Sequence, residues 1–239
     1  MPKGSWWSPC EEYRANVARF TRTDALLAFA LVVLSYAALF FEGLRSLTQP
    51  PSDEPSQIAQ GLVDLAVWTV LLVGVVVIRK QGAWGLGLGR VQLWASLRAG
   101  VVVAGIVIAV AFFIGLVRRL ALPDVRAEWF TWGIPYYLLV IGLNEELLWR
   151  GFVTPRLSSL WRRRWVGVAV SGVLFGLSHI PFHWMNSGLG LGEFLTSSYW
   201  MVLIPMLWHL PLWWLYSRWN SLLAPTLLHF AMNWSSLLT

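Results

Sequence analysis

The stretch Asn144-Glu145-Glu146-Leu147-Leu148-Trp149-Arg150-Gly151 places three charged side chains inside an otherwise apolar run that begins near Trp129. A charge buried in apolar surroundings is costly unless it is paired or used in a function. Residues four positions apart lie on one face of an α-helix. Glu146 and Arg150 are therefore predicted to form an ion pair. Glu145 then points to a different face, and its carboxylate is suited to general-base chemistry.

The composition of the chain is typical of a membrane protein. Its 239 residues are 57% hydrophobic and only 13% charged, whereas soluble domains are about 45–50% apolar and about 25% charged. Mean hydropathy is +0.60, and seventeen Trp residues favour membrane interfaces. The net charge of +6 therefore indicates loop topology and contact with lipid headgroups, and we expect no nucleic-acid partner. The single cysteine, Cys10, excludes an internal disulfide and a Cys-based metal site.

Apolar runs predict an all-α fold, a polytopic membrane helix bundle with about seven (six to eight) transmembrane helices. The expected spans are 24–41, 58–78, 95–117, 129 to beyond 155, 165 to beyond 179, 199–216 and 221–238. Residues 49–53 and 81–85 are expected to be loops. We divide the chain into a cytoplasmic tail (1–23), three N-terminal membrane helices (24–128) and a C-terminal helical core (129–239). Most Arg and Lys residues fall in the tail and in alternate loops, which predicts a cytoplasmic N-terminus.

Further polar residues occur within the expected spans. His179 lies deep in the fifth span, and His229 and Asn233 share one face of the seventh span because they are four residues apart. A histidine and an amide can both donate hydrogen bonds to an oxygen that develops negative charge. His183 follows His179 by four residues, but Pro181 is expected to break the register between them.

Each of these polar groups also has a structural interpretation. The two glutamates could pair with the arginines that follow them at a cytoplasmic helix end. His179 could simply bond to a backbone carbonyl. His229 and Asn233 could join neighbouring helices through hydrogen bonds.

Three short motifs now occur in order on three separate spans. They are Glu145-Glu146-x-x-x-Arg150, Phe175-x-x-x-His179 and His229-x-x-x-Asn233. In this order and spacing they resemble the CAAX protease and bacteriocin-processing family of intramembrane endopeptidases. The resemblance covers about residues 130–237, whereas the first three spans share only their hydrophobicity with the family.

The resemblance implies a helix bundle that hydrolyses peptide bonds with a glutamate-activated water. Carried over to this chain, Glu145 is the base, and His179 helps to hold or activate the water. His229 and Asn233 form the oxyanion hole, and Glu146, Arg150 and Phe175 support the site. No cofactor is required in this interpretation, although Glu145, His179 and His229 could supply three ligands to a divalent metal such as zinc.

The sequence therefore predicts an integral membrane endopeptidase that cleaves a membrane-associated peptide or protein. We expect it in a bacterial plasma membrane, in contact with the lipid bilayer. An alternative is an inactive scaffold or partner protein of the same fold. A proton-linked transporter is disfavoured because the chain shows no internal repeat of the kind found in many transporters.

Overall fold

The structure is a computed structural model that describes residues 8–48, 54–89, 92–119 and 126–238. These residues form helices and short connections, and no strand occurs among them. The all-helical class predicted from the sequence is therefore confirmed. The loop expected at 49–53 lies outside the described residues.

The helices follow the apolar runs of the sequence. In chain order they are α1 (Glu11–Arg19), α2 (Arg22–Thr48), α3 (Glu54–Ile78), α4 (Leu93–Arg119), α5 (129–158), α6 (Arg164–Leu177), α7 (His179–Ser187), α8 (Leu191–Ser197), α9 (Trp200–Trp219) and α10 (Leu223–Trp234). Short 3-10 segments lie at Ala83–Leu86 and Ser235–Leu237.

Helix α5, which carries the two adjacent glutamates, is wound more loosely than an α-helix over most of its length. Its π-helical segments are Trp129–Gly133, Tyr136–Leu143 and Leu147–Val153, and its α-helical segments include Asn144–Glu146 and Thr154–Ser158. The α-helical geometry expected for the whole motif is therefore wrong beyond Glu146. Such π-helical turns are rare and often mark functional sites. The expected continuation past Pro155 is confirmed, since α5 reaches Ser158.

Four helical stretches of the described residues are long and apolar enough to cross a membrane: Arg22–Leu47, Pro55–Ile78, Leu93–Arg118 and Arg164–Ser187. They match the expected first, second, third and fifth spans. The predicted total of about seven is not confirmed. In the expected seventh span, α10 has only 12 residues. At about 1.5 Å per residue it is about 18 Å long, which is shorter than a hydrocarbon core of about 30 Å.

The chain divides into two compact units. Unit 1 comprises Met1–Arg14, Asp53–Gly151 and Leu212–Thr239, and unit 2 comprises Ala15–Ser52 and Phe152–Pro211. Both units draw on the segment 129–239.

In unit 1, helix α10 packs against α4 and against the first half of α5. Gly100 of α4 permits this close approach, because a Cβ there would lie 2.8 Å from the Cα of Ala224. The main-chain N–H of Ala224 donates to Ser96 Oγ at 3.1 Å. This bond satisfies one of the donors that a helix leaves open at its start. The contacts hold α10 in place beside the motif helix.

In unit 2, helix α7 packs against α2. A Cβ on Gly43 would lie 2.9 Å from the Cβ of Met185, and Ser46 Oγ donates to Asn186 Oδ1 at 2.6 Å. Arg156 is fully buried in the same unit. Its guanidinium carbon lies 3.5 Å from the ring centroid of Phe152, so an aromatic face helps to offset the cost of burying this cation.

Candidate active site

Glu146 and Arg150 form a buried ion pair in unit 1. Arg150 Nη1 donates to Glu146 Oε1 at 2.8 Å, and neither side chain has any exposed surface. This is the pair that the four-residue spacing predicts. Because two buried ions must be paired to be tolerated, the contact explains how an arginine can lie inside an apolar helix.

His229 contacts the same carboxylate oxygen. Its Nδ1 lies 2.8 Å from Glu146 Oε1, so Glu146 has a second role that the sequence did not predict. The contact joins residues 83 positions apart, and local spacing carries no signal for such a pair. An ionised carboxylate only accepts hydrogen bonds. The proton of neutral His229 therefore lies on Nδ1, and Nε2 carries the lone pair.

Glu145 faces the other side of the His229 ring. Its side chain is 33% exposed, and its Oε2 lies 3.9 Å from His229 Nε2. This oxygen is buried and has no hydrogen-bond partner within the described residues. A separation of 3.9 Å is too long for a direct hydrogen bond and short enough for one water to bridge the two atoms. Glu145 thus differs from Glu146 as predicted: one carboxylate is paired, and the other is partly open.

Asn233 lies one turn beyond His229 on α10. Its Nδ2 donates to the main-chain oxygen of His229 at 3.3 Å, and its side chain is half-buried. An amide nitrogen carries two hydrogens. One of them therefore stays available for another acceptor after the contact within the helix is made.

His179 and Phe175 lie in unit 2. His179 Nδ1 lies 2.9 Å from the main-chain oxygen of Phe175. Because a carbonyl can only accept, Nδ1 carries the proton and Nε2 of neutral His179 has the lone pair. The two rings pack edge-on, with centroids 5.1 Å apart.

The expected break at Pro181 is wrong. Helix α6 ends at Leu177, and α7 begins at His179. Pro181 is the third residue of α7, where the main-chain N–H has no partner within a helix and its loss costs little. His179 and His183 consequently share one helix face, and their rings stack with centroids 6.2 Å apart. His179 is the first residue of α7, and it lies within the longer helical stretch Arg164–Ser187.

The predicted site residues are thus distributed over both units. Unit 1 brings together Glu145, Glu146, Arg150, His229 and Asn233, and unit 2 holds Phe175 and His179. His209 belongs to none of the three motifs, but it is fully buried and bonded to Ser171. Its signal in the sequence was a lone histidine in an apolar helix, with the small residues Ser171 and Gly172 on another span.

The candidate ligand residues show whether the site could hold a metal ion. A catalytic zinc takes three protein ligands and leaves one position open. Glu145 and His229 belong to unit 1, whereas His179 belongs to unit 2. Across the described ranges, no three side chains of His, Cys, Asp or Glu form a group that could hold a metal ion. The described residues do not present the complete ligand set, so we assign no catalytic step to a metal.

Comparison with known proteins adds an independent finding. Residues 127–235 match the family described as type II CAAX prenyl endopeptidase Rce1-like. No curated protein and no solved structure matches the chain. The matched segment covers somewhat less than half of the chain and contains all seven predicted site residues. The family resemblance predicted from the three motifs is confirmed by this match, and residues 127–235 are similar to the Rce1-like CAAX endopeptidases.

Proposed function

We propose that the chain is an intramembrane endopeptidase in which Glu145 activates a water molecule for attack on a peptide bond. The observation that carries this proposal is the pair of facing groups in unit 1. Glu145 Oε2 is buried without a hydrogen-bond partner among the described residues, and it lies 3.9 Å from His229 Nε2. The family match supports peptide hydrolysis as the reaction.

In the proposed first step, the Glu145 carboxylate takes a proton from the water while the water oxygen attacks the carbonyl carbon. This forms a tetrahedral intermediate with a negative oxygen. In the second step the C–N bond breaks, and protonated Glu145 gives its proton to the leaving amine. One carboxylate thus acts first as a base and then as an acid, and the partial exposure of Glu145 leaves it accessible to substrate.

Asn233 and His229 are proposed to stabilise the negative oxygen. Asn233 has an amide hydrogen to donate after its bond to the His229 carbonyl. His229 imposes a condition, because its Nδ1 proton is directed at Glu146. Only protonated His229 can donate from Nε2, whereas neutral His229 can only accept there. We therefore assign the oxyanion role to the imidazolium form of His229, which can donate from Nε2.

Glu146 and Arg150 are assigned a supporting role. Glu146 Oε1 accepts from both Arg150 and His229 at 2.8 Å. The arginine fixes the position of the Glu146 carboxylate, and Glu146 in turn fixes the His229 ring and its tautomer. Such indirect support often decides whether a site is ordered enough for catalysis.

Two observations give His179 a role in the proposal, namely its motif and its tautomer. Its Nδ1–H is held by the Phe175 carbonyl, so Nε2 can accept a hydrogen bond from water. We assign it the task of holding the attacking water. The proposed substrate is a membrane-associated peptide, and the family name makes a prenylated CAAX peptide the first one to test.

The test uses the full chain in lipid vesicles with candidate membrane peptides, and mass spectrometry identifies the cut. The Glu145→Gln variant is compared with Glu193→Gln, which changes an exposed glutamate. We expect cleavage by wild type and Glu193→Gln, and a loss of about 10²–10⁴-fold in Glu145→Gln. Equal cleavage by all three would refute the proposal.

A further inference from the structure

A buried histidine that the proposed mechanism does not use lies beside the Phe175-x-x-x-His179 motif in unit 2. His209, on α9, has no exposed surface. Its ring centroid lies 5.9 Å from that of Phe175, and the Phe175 ring also packs edge-on against His179 at 5.1 Å. Phe175 is therefore in contact with both histidines.

A short chain of hydrogen bonds fixes the His209 ring. Its Nε2 lies 3.0 Å from Ser171 Oγ, and Ser171 Oγ donates to the Val168 carbonyl at 3.0 Å. A serine hydroxyl has a single hydrogen. Both bonds form only if Ser171 donates to the carbonyl and His209 Nε2–H donates to Ser171. His209 is thus expected as the neutral Nε2–H tautomer.

Ser171, Phe175 and His179 follow one another at intervals of four residues, and His209 contacts the first two of them. The approach is close, because a Cβ on Gly172 would lie 3.2 Å from His209 Cδ2. Phe175 then holds His179 in two ways, through its ring and through its carbonyl, which accepts from His179 Nδ1. A displacement of Phe175 would therefore change both the position and the hydrogen bond of His179.

We propose that His209 is a positioning residue for His179, acting through Ser171 and Phe175. An apolar side chain could fill the same space without the cost of burying an imidazole. What the imidazole adds is a directional bond that fixes the rotation of α9 against α6, and with it the place of Phe175. The catalytic consequence of this inference rests on the proposed function, whereas the geometric consequence does not.

Histidine NMR tests the geometry without any activity. The chain has four histidines, so the ring nitrogens of ¹⁵N-histidine-labelled protein in micelles can be assigned by removing one histidine at a time. Wild type should show His179 as the Nδ1–H tautomer and His209 as the Nε2–H tautomer. His209→Leu should shift the ring signals of His179. His209→Gln, whose amide can still donate to Ser171, should leave them close to wild type.

The kinetic arm uses the same variants. We expect His209→Leu to lower kcat about tenfold or more at nearly unchanged KM, since small misplacements of a catalytic group are costly. His209→Gln should restore most of the rate. If His209→Leu does not fold, Ser171→Ala breaks the same bond from the other partner.

Unchanged His179 signals in His209→Leu would overturn the inference, and so would an unchanged kcat in an active enzyme. If wild type cleaves no peptide, the proposed function fails while the NMR result still decides whether His209 positions His179.

Discussion

Replacing Arg150 with methionine tests the buried ion pair that supports the proposed site. Methionine keeps much of the aliphatic volume and removes the charge. Arg150 and Glu146 are both without exposed surface and lie 2.8 Å apart, so the change leaves the Glu146 carboxylate buried without its strongest partner. Removing one member of a buried pair costs about 3–5 kcal/mol. His229 still donates to the same oxygen, so we expect a loss of unfolding free energy at the lower end of this range, about 3 kcal/mol.

The measurement is the free energy of unfolding of the purified protein in mixed detergent and SDS micelles. Arg163→Met is the matched control, because Arg163 is exposed and its loss should change stability by less than about 0.5 kcal/mol. The double variant Glu146→Gln, Arg150→Met removes both charges and should recover at least half of the loss. Two results would refute the reasoning. One is a loss of unfolding free energy below about 1 kcal/mol in Arg150→Met, and the other is a loss in the double variant equal to the sum of the losses in its two single variants.

Two further predictions concern packing and the cysteine. Gly151→Ala should cost about 1–3 kcal/mol of unfolding free energy, because its Cβ would lie 2.6 Å from the Leu86 carbonyl oxygen. Gly105→Ala, where a Cβ meets nothing within 4 Å, should instead stabilise by about 0.5–1 kcal/mol; equal effects would contradict this account. Burial raises the pKa of the Cys10 thiol, and only the thiolate reacts. At neutral pH, alkylation of Cys10 should therefore be slower in the folded protein than in SDS. In the folded protein, the alkylation rate should keep increasing as the pH rises above the range in which an ordinary thiol ionises. Equal rates in both states would show that the thiol is not protected.

The positions of the four membrane-length helical stretches could be predicted, because long apolar runs are a strong signal. The start of α2 follows from local chemistry as well. The main-chain N–H of Thr21 donates to Asp24 Oδ2 at 2.7 Å, and the Asp24 N–H donates back to Thr21 Oγ1 at 3.4 Å. This reciprocal cap satisfies open donors at the helix start.

The winding of α5 could not be predicted, because hydrophobicity is the same whether a segment closes α- or π-type hydrogen bonds. The break between α6 and α7 was misplaced for a related reason. A proline ends a helix when it falls in the interior, but it is tolerated in the first turn, and only the structure shows that Pro181 lies in the first turn of a new helix.

Contacts between residues close together in the sequence could be predicted for the candidate site, whereas contacts between distant residues could not. The spacing of Glu146 and Arg150 was sufficient for their ion pair. The bond from His229 to Glu146 and the bond between His209 and Ser171 depend on tertiary packing, about which the separation along the chain says nothing. These two contacts change the chemistry most, since each selects a histidine tautomer.

The most direct test of the central claim is the ratio of kcat for wild type to kcat for Glu145→Gln at saturating membrane peptide. Glutamine keeps the shape of the side chain and removes its ability to take a proton from water. With Glu145 as the base, the ratio should be at least about 100, with both proteins equally folded. A ratio near one would contradict the account.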